Sequence, residues 1–293
     1  MNFGKVVTAM VTPFNEQQEI DYEALDILIE YLIENGSDGL VVAGTTGESP
    51  TLSDEEKLAL FSHTVQQVNG RISVIAGTGS NQTKGSIALS QAAEKTGVDA
   101  IMLVTPYYNK PSQDGLYAHF KTVADSVQLP VMLYNVPGRT SVDLAAETVI
   151  RLSAVDNIVA IKDASGDMDK VTEMVAQTDA SFSVYSGEDA LTLPSLAVGA
   201  IGIVSVSGHV IGNEMQEMIA AYEQGAVKKA ASIHQRILPV MQEMFAAPSP
   251  SPVKAALNRN GVHVGGVRLP LLPLNDEQLQ SLNHKLELLE QVK

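Results

Sequence analysis

The sequence predicts an α/β protein built as a (β/α)8 TIM barrel with a C-terminal helical appendage. Eight short apolar segments recur along the chain, helical patterns separate them, and 293 residues suit one large domain of this kind. Hydrophobic residues make up 45% of the chain and charged residues 18%, which is typical of a globular protein. The regular repeat of eight units favours the barrel over the alternative, an open doubly wound sheet.

The eight apolar segments are predicted to be parallel strands. Their nearly continuous apolar character is typical of strands that are buried on both faces. In chain order they cover residues 6–11, 40–43, 72–76, 100–104, 131–134, 158–161, 182–185 and 200–204. Active sites of such barrels lie at the carboxyl ends of the strands, so polar residues that end a strand are candidates for chemistry.

The segments between the strands carry signals for helices. Asp21 is a candidate N-cap for a helix with one apolar stripe, and Gly36 is a candidate for its end. Ser53 lies three residues before Glu56, which is the spacing of a capping box. These signals support helices that alternate with the strands.

Residues 1–224 are predicted to form the catalytic barrel and residues 225–293 a C-terminal helical region packed on it. The second region is interrupted by the proline-rich residues 247–252. It closes with an amphipathic helix that Asn275 is expected to cap.

Composition excludes several classes of function. The chain has 34 acidic and 19 basic residues, and a net charge of −15 argues against binding to nucleic acid. It has no cysteine, so disulfides and thiolate chemistry are excluded. The six histidines are not spaced like the ligands of a metal ion, so no metal is predicted. No apolar segment approaches the roughly 20 residues that span a bilayer and no signal peptide is recognisable, so a cytoplasmic protein is expected.

Lys162 is the first candidate for chemistry, because it ends a strand that is expected to be buried. Burial of an unpaired ammonium is costly and would favour the neutral amine, which can attack a carbonyl and form a Schiff base. The alternative is a structural lysine that extends to solvent at the mouth of the barrel or pairs with Asp163. Tyr134 ends the preceding strand, one βα unit earlier, and is predicted to face the same cavity. A proton-transfer role and an ordinary core tyrosine both remain open for it.

Two further segments could bind an anion at this end of the barrel. The loop of residues 44–49 follows the second strand, and its glycines allow backbone N–H groups to approach a small anion. Arg139 follows Tyr134 after a turn and could bind a carboxylate, although a surface ion pair is the alternative. Ser251 and Lys254 match the SxxK pattern, but they lie in a predicted turn without the companion motifs. The Tyr107–Tyr108 pair is consistent with loop packing or with an interface.

Taken together, these segments resemble the dihydrodipicolinate synthase family, a branch of the pyruvate-dependent class I lyases. The resemblance covers essentially the whole chain. It rests on Val-Thr-Pro at 11–13, Gly-Thr-Thr-Gly-Glu-Ser at 44–49, Thr-Pro-Tyr-Tyr-Asn-Lys-Pro at 105–111, Tyr-Asn-Val-Pro-Gly-Arg-Thr at 134–140, Ile-Lys-Asp-Ala-Ser-Gly at 161–166 and Pro-Ser-Pro-Ser-Pro-Val-Lys at 248–254.

The resemblance implies a hydro-lyase of lysine biosynthesis that condenses pyruvate with L-aspartate 4-semialdehyde. It implies that Lys162 forms the Schiff base with pyruvate, and that no metal or organic cofactor is needed. It also implies a homotetramer, as a dimer of dimers. The proton relay it implies consists of Tyr134, Thr45 and Tyr108, the last reaching into a neighbouring subunit.

The same resemblance implies how the substrates are bound. Thr45 and Thr46 would hold the carboxylate of pyruvate, and Gly187 and Val204 would line its pocket. Arg139 would receive the carboxylate of the semialdehyde. Related lyases, such as N-acetylneuraminate lyase and keto-deoxy-sugar aldolases, share the lysine and the tyrosine but generally lack the arginine motif. They remain the alternative function, together with a non-catalytic barrel that binds a keto acid.

One departure from the family concerns feedback inhibition by lysine. Lysine-inhibited members carry His and Glu around a cleft at the subunit interface. Here Lys57 lies in the matching stretch, and Gly85 stands where a Glu is expected. Because Lys57 would repel a cationic ligand, weak or absent inhibition is predicted.

Overall fold

Eight parallel strands hydrogen-bond in chain order and close into a barrel, as predicted. The structure is a computed structural model that describes residues 2–291. The strands are β1 (Val6–Ala9), β2 (Gly39–Val42), β3 (Ser73–Gly77), β4 (Ala100–Val104), β5 (Val131–Asn135), β6 (Ile158–Asp163), β7 (Ser183–Ser186) and β8 (Gly202–Ser205). Every strand pairs with its sequence neighbour, and β8 also pairs with β1, which closes the ring. The open sheet is therefore excluded.

Helices follow the strands around the outside of the barrel. They are α1 (Tyr22–Glu34), α2 (Asp54–Val68), α3 (Thr83–Glu94), α4 (Gln113–Ala124), α5 (Pro137–Thr140), α6 (Ala146–Leu152), α7 (Met168–Gln177), α8 (Thr192–Ala197), α9 (Gly208–Glu223), α10 (Val227–Glu243), α11 (Ser251–Arg259) and α12 (Asp276–Glu290). None of the helices among residues 2–291 is long and apolar enough to cross a membrane.

The side chains of each strand alternate between two apolar clusters. One cluster fills the barrel and includes Val7, Val41 and Tyr134, whereas Val6 and Val42 belong to the cluster between the strands and the helices. Because both faces of each strand are covered, the strand sequences are continuously apolar and do not alternate between apolar and polar residues.

The predicted helix signals are confirmed. The side chain of Asp21 accepts a hydrogen bond from the backbone of Ala24 at the start of α1, and Gly36 follows the end of that helix with a φ of +92°. Ser53 and Asn275 both form capping boxes, at the starts of α2 and α12.

Seven of the eight strands differ from the predicted segments by one or two residues at an end, and β4 matches. The first strand ends at Ala9 rather than at residue 11. The proline-rich segment is not all turn, because Ser251 and Pro252 begin α11. Proline is well suited to the first turn of a helix, where its missing N–H would have no helical partner. The expectation that Ser251 and Lys254 lie in a turn is therefore wrong. Where the appendage begins, near residue 225, stays a prediction.

Candidate active site

Lys162 lies near the carboxyl end of β6 and is 4% exposed. It pairs in register with Tyr134 on β5 and with Tyr185 on β7. Its Nζ atom is 4.3 Å from the centroid of the Tyr134 ring. Within residues 2–291, no carboxylate lies within 4.0 Å of this ammonium. The amine is thus buried against an aromatic ring and is not held in an ion pair.

Asp163 has other partners, and the ion pair with Lys162 considered as an alternative is not present among residues 2–291. Its carboxylate accepts hydrogen bonds from the Asn135 side chain at 2.9 Å and from the Ser165 hydroxyl at 2.6 Å. Asn135 immediately follows Tyr134, and Asp163 immediately follows Lys162. The Asn135–Asp163 hydrogen bond therefore holds the ends of β5 and β6 side by side, with the candidate side chains of Tyr134 and Lys162 next to each other.

Gly187 lies directly beside Lys162. Its N–H donates to the carbonyl of Asp163 at 2.6 Å. A Cβ atom at this position would lie 2.8 Å from the Ala164 Cβ and 3.1 Å from the Cε of Lys162. Glycine therefore leaves space for the lysine side chain to bear a substituent. Val204, on β8, belongs to the apolar cluster inside the barrel that also contains Tyr134.

The loop between β2 and α2 carries Thr45 and Thr46. Thr46 is buried, and the backbone carbonyl of Thr45 accepts a hydrogen bond from the N–H of Glu48 at 3.1 Å. Glu48 has a φ of +58°, which lies in the left-handed region and is costly for a non-glycine residue. The loop is a tight turn whose first residues face the mouth of the barrel.

A cavity of about 380 Å³ opens at this end of the barrel. Of the residues that the sequence singles out, Thr45, Tyr134 and Arg139 contribute to its wall, whereas Lys162, Thr46, Gly187 and Val204 do not. Lys57 is the other cationic side chain in the wall. Among the described residues, no aspartate or glutamate lines the cavity. In a chain with a net charge of −15, this is a local site for an anion.

Arg139 lies in the short helix α5 and is exposed. Over the part of the chain that the structure describes, it forms no ion pair. The surface ion pair considered as its alternative is therefore not present. Its guanidinium is available to a carboxylate that enters the cavity.

Tyr108 does not lie in the cavity of its own chain. It is 88% exposed and has a φ of +72°, and its neighbour Tyr107 lines the cavity wall. A large aromatic side chain held outward in a strained backbone conformation is an unusual surface feature.

Sequence reasoning missed two acidic residues near this site. Burial, with the nearby carboxylate of Asp189, raises the pKa of the Glu188 side chain, while Lys162 and Arg139 oppose this shift. Glu48 lies in the loop of residues 44–49, called the threonine loop below, and forms a buried ion pair with Lys254. The motif of residues 44–49 contains Glu48, but nothing in the local sequence indicates a partner so far along the chain.

Fold and site together define a barrel enzyme with an unpaired amine at its catalytic end. The model of the dihydrodipicolinate synthetase family matches residues 2–289. The chain is 68% identical to a curated 4-hydroxy-tetrahydrodipicolinate synthase of Oceanobacillus iheyensis, over 96% of both chains. A solved dihydrodipicolinate synthase from Bacillus anthracis superposes with a TM-score of 0.97 at 57% identity, covering 98% of each chain. One from Cyanidioschyzon merolae with lysine bound gives 0.97 at 43% identity, again over 98% of each. The chain belongs to the dihydrodipicolinate synthetase family, and it is a lyase.

Proposed function

We propose that this chain is a 4-hydroxy-tetrahydrodipicolinate synthase of the diaminopimelate route to lysine, and that it works through a Schiff base on Lys162. Its substrates would be pyruvate and L-aspartate 4-semialdehyde. Family membership and the names of relatives that are 53–68% identical support the activity. The observation that carries the mechanism is the unpaired, buried amine of Lys162 against the Tyr134 ring.

The first step would be attack of the Lys162 amine on the keto carbon of pyruvate. A C–N bond forms, the keto oxygen leaves as water with two protons, and the imine remains on the lysine. Tyr134 would move these protons, and the centroid of its ring lies 4.3 Å from the amine, which supports this role. Thr45 would continue the relay from the cavity wall.

The second step would join the methyl carbon of pyruvate to the aldehyde. Loss of a methyl proton turns the imine into an enamine, whose carbon can attack the aldehyde carbon. The aldehyde oxygen takes up a proton and becomes a hydroxyl, and the imine forms again on the lysine. The amino group of the semialdehyde would then attack the imine carbon, which closes the ring and releases Lys162 as the free amine. Arg139 would bind the carboxylate of the semialdehyde, since it is exposed at the cavity and has no carboxylate partner among the described residues. Thr45 and Thr46 would hold the pyruvate carboxylate, beside Gly187 and Val204. The reaction as written needs no metal or organic cofactor.

The working assembly is proposed to be a homotetramer in the cytoplasm, arranged as a dimer of dimers. The outward position of Tyr108 supports it, because an exposed aromatic side chain is suited to enter the cavity of a second copy. In that arrangement Tyr108 would complete the relay of its neighbour.

One assay separates this function from the alternatives. Purified chain is offered pyruvate with L-aspartate semialdehyde, and in parallel N-acetylneuraminate. Turnover of the first pair and none of the second supports the proposal. Cleavage of the sugar acid would assign the chain to the related aldolases, and binding of pyruvate without turnover would indicate a non-catalytic barrel.

A further inference from the structure

Glu48 and Lys254 form an ion pair in the interior of the protein. Oε1 of Glu48 is 2.7 Å from Nζ of Lys254, and the two side chains are 1% and 2% exposed. Lys254 lies in the first turn of α11, whereas Glu48 follows directly after Thr45, Thr46 and Gly47. The pair therefore joins a helix outside the barrel to the loop that carries two site residues.

Each partner has a second attachment in the C-terminal region. Nζ of Lys254 donates to the carbonyl of Gly266 at 2.6 Å, and the N–H of Arg268 donates to Oε2 of Glu48 at 2.9 Å. The Phe14 ring lies 4.3 Å from Nζ of Lys254 and 4.3 Å from Cζ of Arg268. The carboxylate of Glu48 is thus fixed from two sides by residues that follow the barrel.

The loop held by this carboxylate is strained. Glu48 has a φ of +58°, and its N–H closes the turn on the carbonyl of Thr45. The carbonyl of Gly47 accepts a hydrogen bond from the Thr12 hydroxyl at 2.7 Å. A non-glycine residue stays in this conformation when its surroundings over-determine it. If the ion pair is lost, the turn can relax, and Thr45 would move with it.

We propose that the Glu48–Lys254 ion pair positions the threonine loop for the reaction, so that α11 contributes to turnover through Thr45. The inference rests on the proposed function. Neither residue lines the cavity, so both are positioning residues. Burial lowers the pKa of Lys254 to about 8, with the Glu48 carboxylate opposing the shift. The chain thus keeps a charge at a place where burial disfavours it.

A double-mutant cycle tests this role. Lys254→Met is made in the unaltered chain and in a Thr45→Val background, and kcat and KM are measured for both substrates. We expect Lys254→Met alone to lower kcat about tenfold, because displacements of about 1 Å cost up to about 10²-fold. In the Thr45→Val background it should cause almost no further loss, since both changes remove the same contribution.

Controls separate positioning from folding. Arg259 lies on α11 like Lys254, and Arg259→Met, which breaks an exposed pair with Glu290 on α12, should leave kcat unchanged. Thermal unfolding reports whether each variant is folded. If Lys254→Met does not fold, Glu48→Gln combined with Lys254→Met replaces it in the cycle, because that combination leaves no unpaired buried charge.

The outcomes are distinct. If Lys254→Met lowers kcat by the same factor in both backgrounds, the positioning role is overturned and the proposed function stays intact. An unchanged kcat in folded Lys254→Met has the same consequence. Absence of turnover in the unaltered chain overturns the proposed function, and the positioning role with it.

Discussion

The two lysines that are buried among residues 2–291 differ in what faces the ammonium. Lys254 is paired with Glu48 at 2.7 Å, and the partly buried Lys170 is likewise paired, with Asp143 at 2.5 Å. Lys162 instead meets the ring of Tyr134. A paired ammonium is stabilised in its charged form, whereas an unpaired buried amine is free to react. The neighbours of the amine, rather than its residue type, distinguish the proposed nucleophile from the lysines that form ion pairs.

Two tyrosines, Tyr134 and Tyr185, flank Lys162, and we propose a proton-transfer role for Tyr134. Tyr134→Phe should lower kcat by about 10²- to 10⁴-fold, which is the usual contribution of a general acid–base group. Tyr185→Phe is the matched control, because Tyr185 is also in register with Lys162 but its hydroxyl accepts the N–H of Phe3 at 2.8 Å. That change should cost about 1–3 kcal/mol of stability and leave kcat unchanged. Equal loss of kcat in both variants, in steady-state assays, would contradict the assignment.

Arg139 should act on the second substrate and not on the first. Arg139→Ala is expected to lower kcat/KM for the semialdehyde by about 10- to 100-fold, since a hydrogen bond to a charged group contributes about 1.5–3 kcal/mol. Formation of the pyruvate imine, measured by reductive trapping, should change little. If trapping and condensation fall by the same factor, the specificity argument for Arg139 is wrong.

Some of these residues could be predicted from the sequence, for a physical reason. Lys162 and Tyr134 end strands, and the barrel brings the ends of neighbouring strands together. The partners of Glu48 could not be predicted in the same way. Lys254 and Arg268 reach it from a region that packs on the barrel, and no local pattern encodes that contact. Glu188 was missed because it follows a strand end in a loop, where an acidic residue is usually solvated.

At the scale of the elements, the first turn of α2 bears on regulation. Lys57 lies in this turn, is largely buried and lines the cavity together with Tyr107. Its nearest carboxylate is that of Asp54 at 3.5 Å, whose side chain is 69% exposed. A second cation placed near this wall meets like charge that is only weakly compensated.

Free lysine is therefore predicted to be a weak inhibitor. Steady-state rates should remain nearly constant as lysine rises to millimolar concentrations. The Cyanidioschyzon merolae protein, whose structure has lysine bound, is assayed in parallel for comparison. Strong inhibition of this chain at submillimolar lysine would refute the prediction.

At the scale of the whole molecule, eight apolar segments predict the closed barrel, because both faces of its strands are covered. The residues at which the strands end could not be predicted as accurately. The apolar segment that predicts β6 ends at residue 161, and Lys162 is predicted to end the strand, but the strand continues to Asp163, which pairs with Asn135 on β5. An aspartate after an apolar segment is typical of a loop, and pairing between the neighbouring strands makes it part of the sheet.

The stability of the fold should depend on pH through buried His209. Burial lowers the pKa of His209 to about 4; its Nε2 lies 3.1 Å from the N–H of Val11 and its Nδ1 lies 2.7 Å from the carbonyl of Val206. The unfolded chain binds this proton near pH 6.5 and the folded chain does not, so stability is full above about pH 6.5 and falls as the pH drops toward 4. The total change from this group is on the order of 3 kcal/mol.

Chemical unfolding at a series of pH values measures this effect. His209→Gln should show a smaller dependence of the unfolding free energy on pH between about 4 and 6.5, because the titrating group is gone. An identical slope in both proteins would show that His209 does not supply it.

The central claim is that the amine of Lys162 captures a keto acid as an imine. Borohydride reduction in the presence of pyruvate, followed by peptide mass analysis, tests it most directly. We expect irreversible inactivation and one reduced pyruvate adduct on Lys162. In Lys162→Met, the peptide that contains position 162 should carry no adduct. An intact Lys162 peptide in fully active protein after the same treatment, or an adduct on a different lysine, would contradict it.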